Sequence, residues 1–253
     1  MNAIAIATSV AVFTFLAGIV GLYLQKRLPD QHTSDLPREM IRAVTGLVSL
    51  LLALVLGTLI ASSYSLFSSQ KLELESLAAQ FIQLDLALEQ YGPETKPGRA
   101  MALEALSTGY QLFWGGGDVD AKATAVATAL PPLRIMSRYL SSLDPTTPEQ
   151  KEQLSAAKLH FKSIENTRLQ MSLQLATPVA WQLLSIVASW SLLLFCGYGL
   201  LSRMNAMTFA ALAFGAFSVA SAIFLIVELH EPYSGLLRIP PTALVQAIEA
   251  VNK

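Results

Sequence analysis

The stretch from Ala43 to Tyr91, AVTGLVSLLLALVLGTLIASSYSLFSSQKLELESLAAQFIQLDLALEQY, decides the architecture. Its first part, through Phe67, carries no Lys, Arg, Asp or Glu, and a helix needs roughly 20 such residues to cross the ~30 Å hydrocarbon core. Its second part is charged, yet no Gly or Pro interrupts it before Gly92-Pro93. Leu74, Leu77, Phe81, Leu84, Leu88 and Tyr91 recur at alternating three-four spacing, which is one stripe of an α-helix. Ala79, Ile82 and Leu86 add a second apolar flank, and a helix with two apolar faces belongs inside a bundle. The whole stretch therefore reads as one helix of about 73 Å, more than twice the membrane core.

Three further windows, 3–24, 178–201 and 207–227, also lack charged residues. They explain why 53% of the 253 residues are apolar and only 14% charged, against roughly 25% charged in soluble domains. The prediction is an all-α integral membrane protein with four spans, 3–24, 43–67, 178–201 and 207–227. A helical extramembrane domain, 68–177, lies between the hairpins 1–67 and 178–227, and a tail, 228–253, ends the chain. The N-terminal run has no basic residue before it and Lys26-Arg27 after it, so it reads as an uncleaved span rather than a signal peptide.

Inside the domain, Gly92-Pro93 ends the long helix and Pro97 suits the first turn of the next. Leu103, Leu106, Tyr110 and Phe113 repeat the stripe until Gly115-Gly116-Gly117. An Ala/Thr-rich helix is expected after those glycines, interrupted at Pro131-Pro132. Thr147 is placed to cap a helix with Pro148 in its first turn and Glu149 and Glu152 near its positive end. That helix shows a stripe of Leu154, Ala157, Phe161, Ile164, Arg168, Met171 and Leu175. Beyond Pro232 and Gly235, a short amphipathic helix is expected from about Thr242. No strand-like alternation occurs.

Several function classes are excluded or disfavoured. Net charge is −1 with no basic block, so no nucleic acid is expected as a partner. His32, His160 and His230 lack ligand spacing, and Cys196 is the lone cysteine; no metal and no cofactor are predicted. No nucleophile-base set or paired-carboxylate geometry is apparent, and Gly115–Gly117 has neither a strand before it nor a Lys-Ser/Thr after it. The chain does not read as an enzyme. Lys26, Arg27, Arg38, Arg42 and Arg203 follow the positive-inside rule if the loops after spans one and three are cytoplasmic. The N-terminus, the helical domain and the C-terminus are then expected on the outer side of a bacterial inner membrane.

The second span carries the most informative pattern. Thr45, Ser49, Ala53, Gly57, Ala61, Ser65 and Ser69 are all small and recur at every fourth position, a spacing that lets helix backbones approach closely in lipid. One reading packs this stripe against span one, whose Ala3, Ala7, Ala11, Thr14 and Gly18 are similarly spaced. The other assigns it to self-association or to a pore. Thr58, Ser62 and Ser63 add hydroxyls that either line a water path or bond their own backbone. The absence of charge within the spans argues against an ion-coupled transporter and leaves a passive channel open. Near the membrane, Arg168 is expected to pair with Glu75, with an anion-attracting ring as the functional alternative. Glu228 and His230 form a further interfacial pair of candidates beside Glu231 and Arg238.

The segment SSYSLFSSQKLELESLAAQFIQLDLALEQYGPETKPGR (62–99) resembles the helix-and-turn signature of the bacterial bestrophin-like membrane proteins. SWSLLLFCGYGLLSRMNA (189–206) and AIFLIVELHEPYSGLLRIPP (222–241) look like that family's third and fourth spans and tail. This chain has His230-Glu231 where the family pattern tends to have an acidic-basic pair. The resemblance implies an assembly of four-span subunits, and the family name suggests anions by analogy. Bestrophins proper keep the large domain in the cytosol, opposite to the side the charges indicate here. Two functions are therefore expected. The first is a homo-oligomeric passive channel for small inorganic ions, with its pore lined by span two around Ser49–Ser65. The second is a membrane-anchored envelope sensor or scaffold whose helical domain binds a partner.

Overall fold

The computed structural model describes residues 3–27, 35–115, 131–176 and 180–252. The described residues form helices α1 (Ala3–Arg27), α2 (Asp35–Tyr91), α3 (Lys96–Trp114), α4 (Pro131–Ser142), α5 (Pro148–Ala176), α6 (Trp181–Leu201), α7 (Ala206–Leu229) and α8 (Thr242–Val251), with a 3-10 turn at Pro93–Thr95. No strand occurs among them. The chain is an all-helical integral membrane protein: four helical stretches are long and apolar enough to cross a bilayer. The Ala/Thr-rich helix expected after Gly117 lies outside the described residues.

The chain divides into two compact units, Met1–Ser65 with Val179–Glu231 and Leu66–Pro178 with Pro232–Lys253. In the first, α1 packs on α6 and α7 around a core that includes Leu22, Val187, Leu194, Phe195, Leu212 and Ile226. Lipid supplies no hydrophobic drive between spans, so small residues set how near the backbones come. A Cβ on Gly21 would collide with the Cys196 carbonyl oxygen, one on Gly199 with the Gly18 carbonyl oxygen, and one on Gly18 would meet Leu212 Cδ2 at 2.9 Å. The small residues of α1 thus serve α6 and α7, which corrects the reading that pairs them with the stripe of α2. The α2 residues buried or half-buried in this unit include Thr45, Val48, Leu52, Val55, Leu56, Leu59, Ile60 and Ser63. Apart from Thr45, which belongs to both, that face lies one or two residues before the members of the small stripe, about 100–200° around the helix.

In the second unit, α2 buries every member of its first stripe, Leu74 through Tyr91, and α5 buries Leu154, Ala157, Phe161, Ile164, Met171 and Leu175. Gly92 ends α2 at φ 142°, a conformation that side chains rarely adopt. The Thr95 hydroxyl holds the turn by donating to the carbonyls of Leu88 and Gly92. Thr147 Oγ1 accepts from the Gln150 N–H at 3.1 Å and so caps α5. After Pro232 the chain joins this core: Tyr233, Ile239, Leu244, Ala247 and Val251 are buried in it, and α8 packs on α3. The second flank of α2 is not covered. Leu72, Ile82 and Leu86 are 61%, 37% and 50% exposed, and Ala79 between them is exposed as well. The expectation that both flanks are buried is thereby corrected for the single chain.

Gly21→Ala is expected to destabilise the first unit by about 1–3 kcal/mol through forced separation of α1 and α6, whereas Gly57→Ala, where a Cβ meets nothing within 4 Å, leaves the fold unchanged. Thermal unfolding of the detergent-purified variants, followed by circular dichroism, distinguishes the two; equal midpoints would contradict the packing described.

Candidate functional site: the uncovered face of the second helix

Residues 53–65 of α2 present Ala53, Gly57, Thr58, Ala61, Ser62 and Ser65 on exposed positions, and Ser49 is half-buried. A Cβ built on Gly57 meets nothing within 4 Å. Of the small stripe, Thr45 is buried within the chain, its methyl standing where a Cβ on Gly197 would go, and Ser49 and Ser69 are half-buried. Ser49 donates to the Thr45 carbonyl at 2.7 Å, and the Tyr198 hydroxyl of α6 lies 2.8 Å from its oxygen. Thr58 and Ser63 donate to the carbonyls of Val55 and Leu59 at 2.9 and 2.8 Å. Ser49 and Thr58 thus satisfy their protons on their own helix and keep oxygen lone pairs to offer, while Ser63 is buried on the packed side of α2. The result is a charge-free face of small side chains and a few hydroxyl oxygens, uncovered in the single chain.

The charge candidates divide between the two units. Glu75 lies 4.0 Å from Lys71 at the surface of its own helix, so its ion pair is with Lys71 and not with Arg168. Counting residues from the span ends fixes depth along a helix but not direction around it. Arg168 is half-buried, lines a cavity in the second unit, and is held by burial below its ordinary pKa. Glu228 is 5% exposed at the end of α7, and the His230 ring nitrogen Nδ1 lies 2.9 Å from the Ile226 carbonyl. Glu228 and His230 belong to the first unit, Glu75, Arg168 and Arg238 to the second. Among the described residues no group of three or more His, Cys, Asp or Glu stands ready to hold a metal.

Sequence reasoning missed a polar knot in the second unit. Gln70, fully buried, donates to Gln174 Oε1 at 2.8 Å and to the Met171 carbonyl at 3.3 Å, and accepts from the Tyr233 hydroxyl at 3.1 Å. Gln174 donates in turn to Glu73 Oε1 at 2.7 Å. Burial, with Glu73 nearby, pushes the Tyr233 hydroxyl well above its ordinary pKa. A second missed pair is Asp85 with Arg99, a two-pronged contact at 2.7 and 2.9 Å that raises the Arg99 pKa, chiefly by hydrogen bonding. Glutamines in a helical heptad read as solvated surface, and the partners of Gln174 lie about a hundred residues away and leave no local signal.

The comparisons with known proteins agree with this architecture. The Bestrophin-like domain profile matches residues 12–244, so the chain belongs to the bestrophin-like family. The fold is shared with the crystal structure of a bacterial bestrophin homolog from Klebsiella pneumoniae carrying an isoleucine-to-threonine mutation. That match has a TM-score of 0.70 at 14% identity and covers 98% of this chain and 99% of that one. Among curated proteins none matches.

Tyr233→Phe removes the donor to a fully buried Gln70 and is expected to cost about 1 kcal/mol. Gln70→Leu, which also strips Gln174 of its donor, is expected to cost more, roughly 2–3 kcal/mol. Denaturant unfolding of the two variants beside the wild type checks the order, and a Gln70→Leu protein as stable as the wild type would refute the knot.

Proposed function

We propose that this protein is a homo-oligomeric passive ion channel whose pore is lined by α2 around Ser49–Ser65. The observation that carries the reading is the uncovered, charge-free face of small residues on α2, with open space beside Gly57. Within the spans, a helix face left bare by its own chain meets lipid, another subunit or water. Small side chains and hydroxyl oxygens suit the last two better than the large exposed Leu47, Leu50 and Leu54 on the same helix. Closed symmetry places the same face of every subunit around one axis. Membership in the bestrophin-like family and the fold shared with a bacterial bestrophin homolog support the same reading.

The windows 3–24, 43–67, 178–201 and 207–227 hold no ionisable Lys, Arg, Asp or Glu, so transport follows the existing gradient without a coupled proton or ion. Anion permeation is the finer reading, by family analogy. No cofactor enters the mechanism and no chemical step is catalysed. Assembly has its own support in the second unit, where Leu72, Ala79, Ile82 and Leu86 make an exposed apolar stripe on α2 while Leu169 and Leu173 do so on α5. Lys26, Arg27, Arg38, Arg42 and Arg203 favour an orientation with the termini and the helical domain outside. The second reading, an envelope sensor or scaffold, is favoured by the same exposed stripe, which a partner other than a second copy would also cover.

Ion flux through the purified protein in liposomes tests the proposal, with chloride and potassium gradients applied separately. Gly57→Leu is expected to abolish flux while the oligomer elutes unchanged in size-exclusion chromatography, since the new side chain enters the conduction path and not the subunit core. Silence of the wild-type protein under both gradients and both voltage signs would overturn the channel and leave the scaffold.

A further inference from the structure

The first unit carries five cations at one end. α1 meets α6 where Gly21 sits against Cys196 and Gly199, and Thr45 of α2 meets Gly197 at the same level. Ala3, Ile6, Val10 and Phe15 of α1 pack in one core with Leu184 and Val187 of α6, and Val48, Val55 and Ile60 of α2 join it. The end of α1, the end of α6 and the start of α2 therefore leave that core on the same side. Lys26 and Arg27 lie five and six residues past Gly21, Arg42 and Arg38 three and seven before Thr45, and Arg203 six past Gly197. At about 1.5 Å per helical residue, all five stand roughly 5–11 Å beyond the packed glycines.

These cations are not committed to carboxylates. None of them takes part in an ion pair among the described residues, and the acidic side chain described beside them is the exposed Glu39. Arg38 falls in the first turn of α2, at the positive end of the helix, where a cation is disfavoured. Its Nε–H is buried with no partner, so packing and not an acceptor holds the guanidinium in place. Arg42 stands one turn further on the same face, and two planar forks so spaced suit a phosphate. Arg27 is anchored by Tyr23, whose hydroxyl accepts from it and whose ring centre lies 4.9 Å from its Cζ. Leu24, Met40, Val44, Met204 and Met207 are interleaved with the cations and exposed. A soluble anion leaves such side chains in water, whereas the acyl chains below a lipid headgroup cover them. We propose that this end of the first unit docks anionic phospholipid, with the headgroup phosphate on Arg38 and Arg42 and the acyl chains against the interleaved apolar residues. Lys26, Arg27 and Arg203 complete the positive field.

The test uses the full chain in phosphatidylcholine liposomes, labelled by light with phosphatidylglycerol or phosphatidylcholine carrying the same diazirine acyl chain and mapped by peptide mass spectrometry. The readout is local and does not depend on which way the protein is inserted. Phosphatidylglycerol is expected to label Tyr23–Arg27, Arg38–Leu47 and Leu201–Met207 at least about fivefold more than phosphatidylcholine, the gain one basic residue supplies near an anionic surface. At the opposite span ends, Ser62–Phe67 and Trp181–Ser185, the two lipids should label equally. The preference should fall below about twofold in ~1 M salt, where the Debye length is ~3 Å, and in the double variant Arg38→Gln, Arg42→Gln. An excess of glycerol 3-phosphate should leave the labelling unchanged. Equal labelling by the two lipids at the basic end overturns the proposal, as does the same preference at both ends. Displacement by glycerol 3-phosphate also overturns it, since the ligand is then a soluble phosphate. The comparison of the two ends on the wild-type protein decides the matter alone if the double variant fails to elute as the wild type does.

Discussion

In hydrocarbon, two helices gain nothing by hiding leucines from lipid, so how closely their backbones approach decides which spans pair. The contact of α1 with α6 meets this condition with glycine on both sides: Gly21 sits against the Cys196 carbonyl and Gly199 against Gly18 and Gly21. The rest of the first unit depends on that approach. With α1 packed on α6 and α7, its Thr14, Gly18 and Gly21 are buried, and α2 joins this unit through Thr45 and Leu52. Ala53, Gly57, Ala61 and Ser65 are what remain, small enough to pack tightly and packed by nothing in their own chain. The candidate pore is thus defined by subtraction, as the close-packing surface that the fold itself leaves over.

The second unit follows the physics of water-soluble bundles. Its stripes on α2 and α5 bury leucine, isoleucine and phenylalanine, each side chain contributing about 1.5–3 kcal/mol when removed from water. Against that background the buried knot of Gln70, Gln174, Glu73 and Tyr233 stands out. Such a network adds little net stability but strongly penalises any register in which its members lose their partners. It fixes how α2, α5 and the segment after Pro232 are aligned along one another, a task that interchangeable leucines perform poorly.

Periodicity made much of this legible. The spans follow from charge-free windows, and the stripes 74–91 and 154–175 appear buried in the structure, save that Arg168 of the second is half-buried. Gly92 and Gly115 end helices where the sequence indicates. The start of α2 at Asp35 rather than Ala43 was hidden, because Asp35, Arg38, Glu39 and Arg42 erase the hydropathy signal without breaking the helix. What remained illegible is azimuth and distant pairing. The small residues of α1 and α2 share one spacing yet serve different neighbours, and Glu75 meets Lys71 where counting favoured Arg168. The bond from Gln70 to Gln174 joins residues that no local pattern relates.

The tail has a consequence for biosynthesis. Trp114 donates to the Ile239 carbonyl at 3.0 Å, the Phe113 and Tyr233 rings stand 4.8 Å apart, and Leu244, Ala247 and Val251 lie in the same core. Residues made after both hairpins therefore complete a bundle whose other helices emerge from the ribosome far earlier. Contacts of such long sequence separation form slowly, and a nascent chain paused before Tyr233 exposes an unfinished apolar core. The helical domain cannot reach its final packing until both spans of the second hairpin have been translated, so its folding is a late event that follows, rather than precedes, synthesis of the membrane anchor.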